Sequence, residues 1–289
     1  MNSNQKVYIP QSLPDLNSIL ANNTGEITYI AGATDLMVAK KDWQNTDILI
    51  DLNHIHEITQ NIDVEDNGIK MGAAVPMSDL IAHKAINKEF PMLVEACRQI
   101  GSVQIQNRAT IGGNIANASP AGDTLPVLAV YKATILIGPP ENGDLKKMPL
   151  EELMQGPGQT VLSRNQYIAY IYLPFPPQGN QFWYFRKVGI RKAMAISKVS
   201  LAVFGIMDKG KMEEIRICAG SVSPKIDRAK KTELIISGRK LDQEIIEQAS
   251  REIVDEIDPL NDIRSTSSYR KHTCQALLIE ALSQFSSSI

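Results

Sequence analysis

The sequence predicts a mixed helix-and-strand protein of at least two domains, on three observations. Apolar runs of strand character alternate with helical runs along the first part of the chain. A proline-rich break, PFPPQGNQ, places three prolines and a glycine near positions 174–180 and marks a linker. Past that break the pattern changes to longer strands around a tight turn, and then to helices. With 289 residues, 43% of them hydrophobic and 21% charged, the chain can bury a core as an ordinary globular protein does.

Taken in order, EITYIAG reads as a buried strand ending at Gly32, followed by a turn, a short helical stretch from about Asp35 and a second strand, TDILIDL. IKMGAAV is the next strand. Ser78 is placed as the N-cap of a helix over DLIAHKAI, and PMLVEACRQIG reads as a helix started by Pro91 and stopped by Gly101. LPVLAVYKATILIG reads as a helix passing into a strand, and NQYIAYIYLP as a strand, from its β-branched and aromatic residues. After the break, QFWYFRKV is a strand and SLAVFGIMDKGKMEEIRICAGSV a hairpin turning at Asp208 to Lys211. Ile245, Ile246, Ala249, Ile253 and Ile257 share one helical face, and a last helix runs from about Tyr269 to Phe285.

Charge and composition exclude several functions. Lys and Arg number 30 against 32 Asp and Glu, no basic block is interleaved with aromatics, and nucleic acid is not an expected partner. The first residues carry no signal-peptide pattern, the greasiest internal run is broken by Lys132, and no membrane span is expected, which makes the cytoplasm the expected location. Cys97, Cys218 and Cys274 stand far apart without CxxC spacing, which fits buried thiols and not a disulfide framework, iron–sulfur ligands or zinc ligands. His54 and His56, spaced i, i+2, are expected on one strand face, but no Cys, Asp or His cluster stands beside them to complete a metal site.

The run NRATIGGNIANASPAGD, Asn107 to Asp123, is small and almost without bulk. Glycine can take a positive φ, and it lets another molecule touch the backbone. Gly112 and Gly113, flanked by Thr110 and Asn114, read either as a plain tight turn or as a concavity of backbone N–H groups for a phosphate. A second small-residue loop, IAGATDL at 30–36, also follows a strand. Neither run matches the GxGxxG fingerprint or the phosphate loop of the P-loop enzymes. Two such loops suit an elongated ligand whose diphosphate is clasped from both sides, as in a dinucleotide such as FAD.

IAGATDL and NRATIGGNIANASPAGDTLP, in this order, with FRKVGIRKAMAISKV at 185–199 and TSSYRKHTCQALL at 266–278, resemble the FAD-binding medium subunit of molybdenum hydroxylases. This is the xanthine dehydrogenase and carbon monoxide dehydrogenase family, and the resemblance covers essentially the whole chain. It implies an α+β fold: an FAD-binding domain of the vanillyl-alcohol oxidase type at 1–176, with two α+β subdomains at about 1–55 and 56–176, then a small α+β carboxy-terminal domain at 181–286. It implies a noncovalent FAD and a cytoplasmic oxidoreductase subunit that passes electrons between 2Fe-2S clusters and an external acceptor. Those clusters are expected in a small partner subunit and the molybdenum cofactor in a large one, with a dimer of heterotrimers as one expected assembly. No catalytic side chain and no metal ligand is expected in this chain. The alternative is a self-sufficient flavin oxidase with its own organic substrate, for which neither loop supplies a His or Cys as base or flavin link.

Position by position, the resemblance places Ile30, Ala31, Gly32, Ala33, Thr34, Asp35 and Leu36 around the diphosphate and toward the flavin, and Ala109, Thr110, Gly113 and Asn114 as the opposite clasp. Ala116 matches a position against the isoalloxazine ring. Asp123 matches the acidic residue of an SPxxD segment expected to hydrogen-bond a sugar or ribityl hydroxyl. Ile168 matches an apolar position near the adenine end, and Lys187 a basic one on the flavin's pyrimidine side. The residues alone leave second readings open: Asp35 and Asp123 as helix N-caps, Thr34 and Thr110 as turn residues bonding their own backbone, Lys187 as a solvated surface charge. Two stretches depart from the family. Ala33 stands where a second glycine is common, so the backbone there either keeps φ negative or bears mild strain. Lys192, Ala193 and Met194 stand where nicotinamide-using relatives have acidic residues, which argues against direct NAD reduction.

Overall fold

Short apolar strands bury little on their own, and here they assemble into separate sheets covered by helices. The structure, a computed structural model, describes residues 5–38, 46–191 and 194–287. A first unit holds β1 (Lys6–Tyr8), α1 (Leu13–Ala21), β2 (Ile27–Ile30) and β3 (Ile48–Asp51), followed by the short α2 (His56–Thr59). Its sheet is parallel, in the order β1-β3-β2. Helix α1 starts where the Asp15 N–H donates to Ser12 Oγ at 3.2 Å, with Pro14 in its first turn. Its Leu16 and Leu20 pack with Ile48, Ile50, Ile55 and Ile58.

Two expectations differ from the described structure in this unit, and of the first of them, a helical stretch from about Asp35, the part at 39–45 lies outside the described residues. No helix follows Asp35 among the described residues: 34–38 form a single turn, closed by Met37 N–H to Ala33 O and Val38 N–H to Asp35 O, both 3.0 Å. Asp35 is therefore not a helix N-cap. Nor do His54 and His56 share a strand face. The Asp51 carboxylate accepts from the Asn53 N–H at 3.0 Å and bends the chain into a one-turn 3-10 helix, Leu52–His54, after which His56 opens α2.

The middle unit runs β4 (Ile62–Glu65), β5 (Gly68–Gly72), α3 (Met77–Ala82), α4 (Lys84–Glu89), α5 (Pro91–Arg98), α6 (Val103–Gln106), α7 (Ile111–Ala116) and α8 (Thr124–Val130). It continues through β6 (Thr134–Glu141), β7 (Asp144–Pro149), α9 (Leu150–Leu153), β8 (Met154–Gly156), β9 (Gln159–Thr160) and β10 (Tyr167–Pro174). Strand β10 returns to the centre of an antiparallel sheet of order β4-β5-β10-β6-β7. A bulge between Ile168 and Tyr170 resets its alternation, so Tyr167 and Ala169 join the first unit's core while Ile168, Ile171 and Leu173 join the middle one. The helix expected to start at Ser78 starts earlier. Pro76 presets the entry to α3, Ser78 lies in its first turn without a capping bond, and His83 separates α3 from α4.

The carboxy-terminal unit contains β11 (Asn180–Val188), β12 (Val199–Asp208), β13 (Lys211–Gly220), α10 (Lys230–Ile236), α11 (Gln243–Glu256) and α12 (Ser267–Ser287). Lys209 and Gly210, both at positive φ, turn the β12–β13 hairpin as a two-residue loop requires. Strand β12 is buried on both faces, which is why SLAVFGIM runs apolar. Leu201 and Val203 pack with α10 to α12, and Ala202 and Phe204 with the middle unit's core. No described helix is long and apolar enough to cross a membrane.

Candidate functional site

The three units meet around one cleft of about 770 Å³, within the roughly 300–1,000 Å³ of small-molecule sites. The loop after β2 forms one wall, the segment from Ala109 to Asp123 a second, and Lys187, residues 194–196 and Arg264 of the carboxy-terminal unit a third. The first two walls touch at Gly32. A Cβ there would lie 1.9 Å from the Arg108 carbonyl oxygen and 3.0 Å from Ala109 Cα, so a side chain would drive the loops apart. Asn53 Nδ2 fixes the first loop by donating to Ala31 O at 2.9 Å.

The two loops differ in where their backbone N–H groups go. On α7, Ile111 N–H donates to Val75 O, Gly112 N–H to Ala73 O, Gly113 N–H to Thr110 Oγ1 and Asn114 N–H to Thr110 O. The concavity expected at Gly112 and Gly113 is thus spent on the protein itself. Thr110 is the N-cap of α7, and Gly112 is needed because a Cβ would stand 2.5 Å from that of Ala73. At Gly113 a Cβ would meet only Thr110 Oγ1, at 2.7 Å. In the first loop the reverse holds: the N–H groups of Gly32, Ala33, Thr34, Asp35 and Leu36 donate to no atom among the described residues. Ala33 takes φ +58°, the strained alternative of the two, and a left-handed residue in such a turn gathers successive N–H groups into an anion nest.

At the other end, Asp123 and Lys187 form an ion pair with 2.6 Å between Oδ2 and Nζ and side chains only 9% and 7% exposed. Lys187 Nζ also donates to Gln99 O at 2.9 Å, and Ser197 Oγ donates to Asp123 Oδ1. Burial pushes the Asp123 carboxyl up against the downward pull of Lys187 and Ser197. Asp123 precedes α8 but makes no capping bond, and Lys187 is not a surface charge. Both second readings fail for one reason: the two side chains satisfy each other across the boundary between units.

Of the residues singled out from sequence, all line the cleft except Ile30, the last residue of β2. Asn114 is held by Thr124 Oγ1, which donates to its Oδ1 at 2.6 Å, and Ile168 sits at the bulge of β10. Lys192 and Ala193 lie outside the described residues, while Met194 lines the cleft. Sequence reasoning missed Tyr29, Gln166, Tyr167, Ile196 and Arg264 on its walls. Tyr167 was visible only as a strand residue, and its phenol, pushed up to about 12 chiefly by burial, stays neutral. No His or Cys lines the cleft among the described residues, and no cluster of three metal-ligating side chains occurs among them.

Known proteins resemble the chain over nearly its whole length. Residues 2–176 match the family described as the FAD binding domain in molybdopterin dehydrogenase, and residues 183–285 the CO dehydrogenase flavoprotein C-terminal domain. The glyceraldehyde dehydrogenase medium chain of Sulfolobus acidocaldarius is 25% identical, over 95% of each chain. The carbon monoxide dehydrogenase medium chain of Hydrogenophaga pseudoflava is 26% identical, over 95% of this chain and 94% of that one. A xanthine dehydrogenase FAD-binding subunit of Escherichia coli is 24% identical, over 94% and 93%. The solved Hydrogenophaga pseudoflava carbon monoxide dehydrogenase that lacks the Mo-pyranopterin moiety superposes with a TM-score of 0.90 at 24% identity, covering 98% of this chain and 97% of that one. The chain belongs to the FAD-binding family of the molybdopterin dehydrogenases.

Proposed function

We propose that the cleft holds one FAD noncovalently, and that the chain is the electron-transfer flavoprotein subunit of a molybdenum-containing hydroxylase. The observation that carries this reading is the contact of two small-residue loops at Gly32, beside which five N–H groups along one wall of a single long cleft have no partner among the described residues. A diphosphate suits that nest, because oriented amides at a left-handed turn favour negative charge. We assign Ala31 to Leu36 to the diphosphate, with Ile30 supporting them from the strand. Ala109, Thr110, Gly113 and Asn114 oppose them, Ala116 lies against the ring, Ile168 lines the adenine end, and Asp123 with Lys187 stands at the flavin end. FAD bound there supplies the exchange between one-electron and two-electron carriers, and the protein's part is to orient it and set the charge around it.

The rest of the reaction belongs to other chains. The medium-chain names of two relatives support an assembly with other chains, to which we assign a small 2Fe-2S subunit and a large molybdenum-cofactor subunit in a dimer of heterotrimers. The chain is assigned two folding domains, 1–176 and 181–286, and a cytoplasmic location, where three free buried thiols are at home. The test is direct. The purified chain should be yellow, and acid or heat should release FAD, not FMN. Flavin that stays on the denatured chain, or its absence from well-folded protein, overturns the reading. The isolated chain should leave purines and aldehydes unoxidised until both partners are added.

A further inference from the structure

Charge is spread unevenly along this chain. Residues 96–122, 176–207 and 263–279 hold ten of its 30 Lys and Arg and none of its 32 Asp and Glu. All three stretches reach the cleft: Ile100 and Ala109 line it from the first, Lys187 and residues 194–196 from the second, Arg264 from the third. They are also tied to one another, because Lys187 Nζ donates to Gln99 O at 2.9 Å and an Arg270 guanidinium nitrogen to Lys198 O at 2.8 Å. Part of the positive charge is answered locally, Lys187 by Asp123, Arg186 by Glu280, and Arg264 and Arg270 by Asp262. Arg98, Arg108, Arg191, Lys198 and Lys271 enter no ion pair among the described residues.

The same rim exposes apolar side chains. A Cβ at Gly189 would stand 2.7 Å from that of Ala195, and the Arg191 guanidinium donates to Met194 O at 2.9 Å, so the ends of this segment are held against each other with Met194 at φ +53°. Ile190 and Met194 are 73% and 57% exposed, Ile196 is exposed beside them, and Ile263 is fully exposed next to Arg264. Apolar anchors set singly among unpaired cations suit a transient protein contact; a permanent subunit interface is more continuously apolar, like a core cut in half. A second copy of this face would bring like charges together, and no continuous apolar helix face, as lies in a lipid surface, is offered by these isolated side chains.

We infer that this rim docks an acidic one-electron carrier protein, distinct from the enzyme's own subunits, an inference that rests on the FAD reading of the cleft. A cationic rim around the mouth of a cofactor site steers an anionic partner to it and fixes its orientation. Two reduced carriers each give up one electron, and the pair passes with two protons from solvent to the bound FAD; the reverse exchange returns both electrons to two oxidised carriers and both protons to solvent.

The test uses the full chain, its flavin content recorded first, and a reduced plant-type 2Fe-2S ferredoxin of acidic surface as the probe. Fluorescence anisotropy of labelled ferredoxin reads binding whether or not flavin is present, and stopped-flow absorbance reads flavin reduction. Binding should tighten as ionic strength falls, and Lys198→Glu with Lys271→Glu should weaken it by about tenfold or more at low salt, with flavin content unchanged. Arg98→Glu repeats the test from the other wall. Lys146→Glu with Lys147→Glu makes the same change in net charge on β7, away from the cleft, and should leave binding within about twofold of the parent. Binding that ignores salt, or equal loss in both double variants, overturns the proposal. So does a Lys198→Glu, Lys271→Glu chain that no longer copurifies with a coexpressed small 2Fe-2S subunit, which assigns the rim to the assembly, or a parent chain that sediments with phosphatidylserine vesicles and ignores ferredoxin, which assigns it to a membrane surface. Charge-dependent binding to a flavin-free chain supports the docking surface and counts against the FAD reading, whereas a flavin-loaded chain that binds no ferredoxin counts against the docking surface alone.

Discussion

Replacing Asp123 by alanine should destabilise the flavin-free protein through Lys187. The Lys187 side chain is 7% exposed, and its carboxylate partner at 2.6 Å is the one negative charge it meets in an ion pair among the described residues. Breaking a buried pair from one side costs about 3–5 kcal/mol, because the surviving charge is left in a poor solvent. At roughly 2–4 °C per kcal/mol for a protein of 150–250 residues, the melting temperature should fall by about 6–20 °C. Burial drives the Asp123 carboxyl up despite Lys187 and Ser197, and replacing a buried pair as a whole by apolar side chains is often neutral, because both charges are then spared the loss of water. Asp123→Ala combined with Lys187→Met should therefore recover most of the loss, short of the about 1 kcal/mol left by Gln99 O without its donor. The assay is calorimetric unfolding of four flavin-stripped proteins, the parent, Asp123→Ala, Lys187→Met and the double variant, since bound FAD adds its own stabilisation by mass action. A single variant that loses less than about 1 kcal/mol, or a double variant no better than the single, would refute the reasoning. Neither protein should regain a full complement of FAD, which separates the pair's structural role from its place in the site.

Three further outcomes are expected. Ala33→Gly relieves a left-handed residue that costs about 1–2 kcal/mol, against the roughly 0.5–1 kcal/mol of extra freedom that glycine adds to the unfolded chain; equilibrium unfolding should register between no change and a gain of about 1.5 kcal/mol, and a clear loss would remove the strain argument. Gly113→Ala and Gly113→Val both push a Cβ toward Thr110 Oγ1, so both should lose about the 1 kcal/mol of a cap, but Val should also collapse FAD occupancy; a flavin-replete valine protein would leave Gly113 as a turn residue only. Acid should loosen the junction between units. Burial raises Glu214, but Arg216 at 2.7 Å and Lys132 at 3.0 Å more than offset it and hold the carboxyl below 4.5. A depressed folded value gives stability that is present above the unfolded value and lost as pH falls through the folded one, so the loss should begin near pH 4.5 and flatten in Glu214→Gln in pH-dependent unfolding.

What could be read from the sequence, and what could not, divides along the range of the interactions involved. Strands and helices came from local periodicity: β12 announced its two buried faces by an unbroken apolar run, and the hairpin at Asp208 to Lys211 by its turn residues. The helix expected from Asp35 is a turn over 34–38, a difference of the same local kind, because one turn of bonded backbone mimics a helix start. The bulge in β10 was out of reach, since a strand shows its register only against its neighbours.

In the site, small residues betrayed both loops, for close approach needs absent side chains whatever does the approaching. They could not say which loop touches protein and which is left open. Gly112 and Gly32 face backbone and side chains from distant segments, Ala73 in one case and Arg108 in the other, while Gly113 faces only its own cap. The free N–H groups belong to the loop with one glycine, not the loop with two, because Ala73 and Val75 offer carbonyl oxygens to α7 that nothing among the described residues offers to residues 32–36. Burial of charge was harder still to foresee. A lysine between arginine and valine on a strand reads as solvated until a carboxylate from another unit meets it, and that carboxylate in turn reads as a cap for the helix beside it. Glycine content thus locates a ligand wall, but the direction of the N–H groups, which decides whether the wall binds an anion, is a property of the carbonyl oxygens packed behind it.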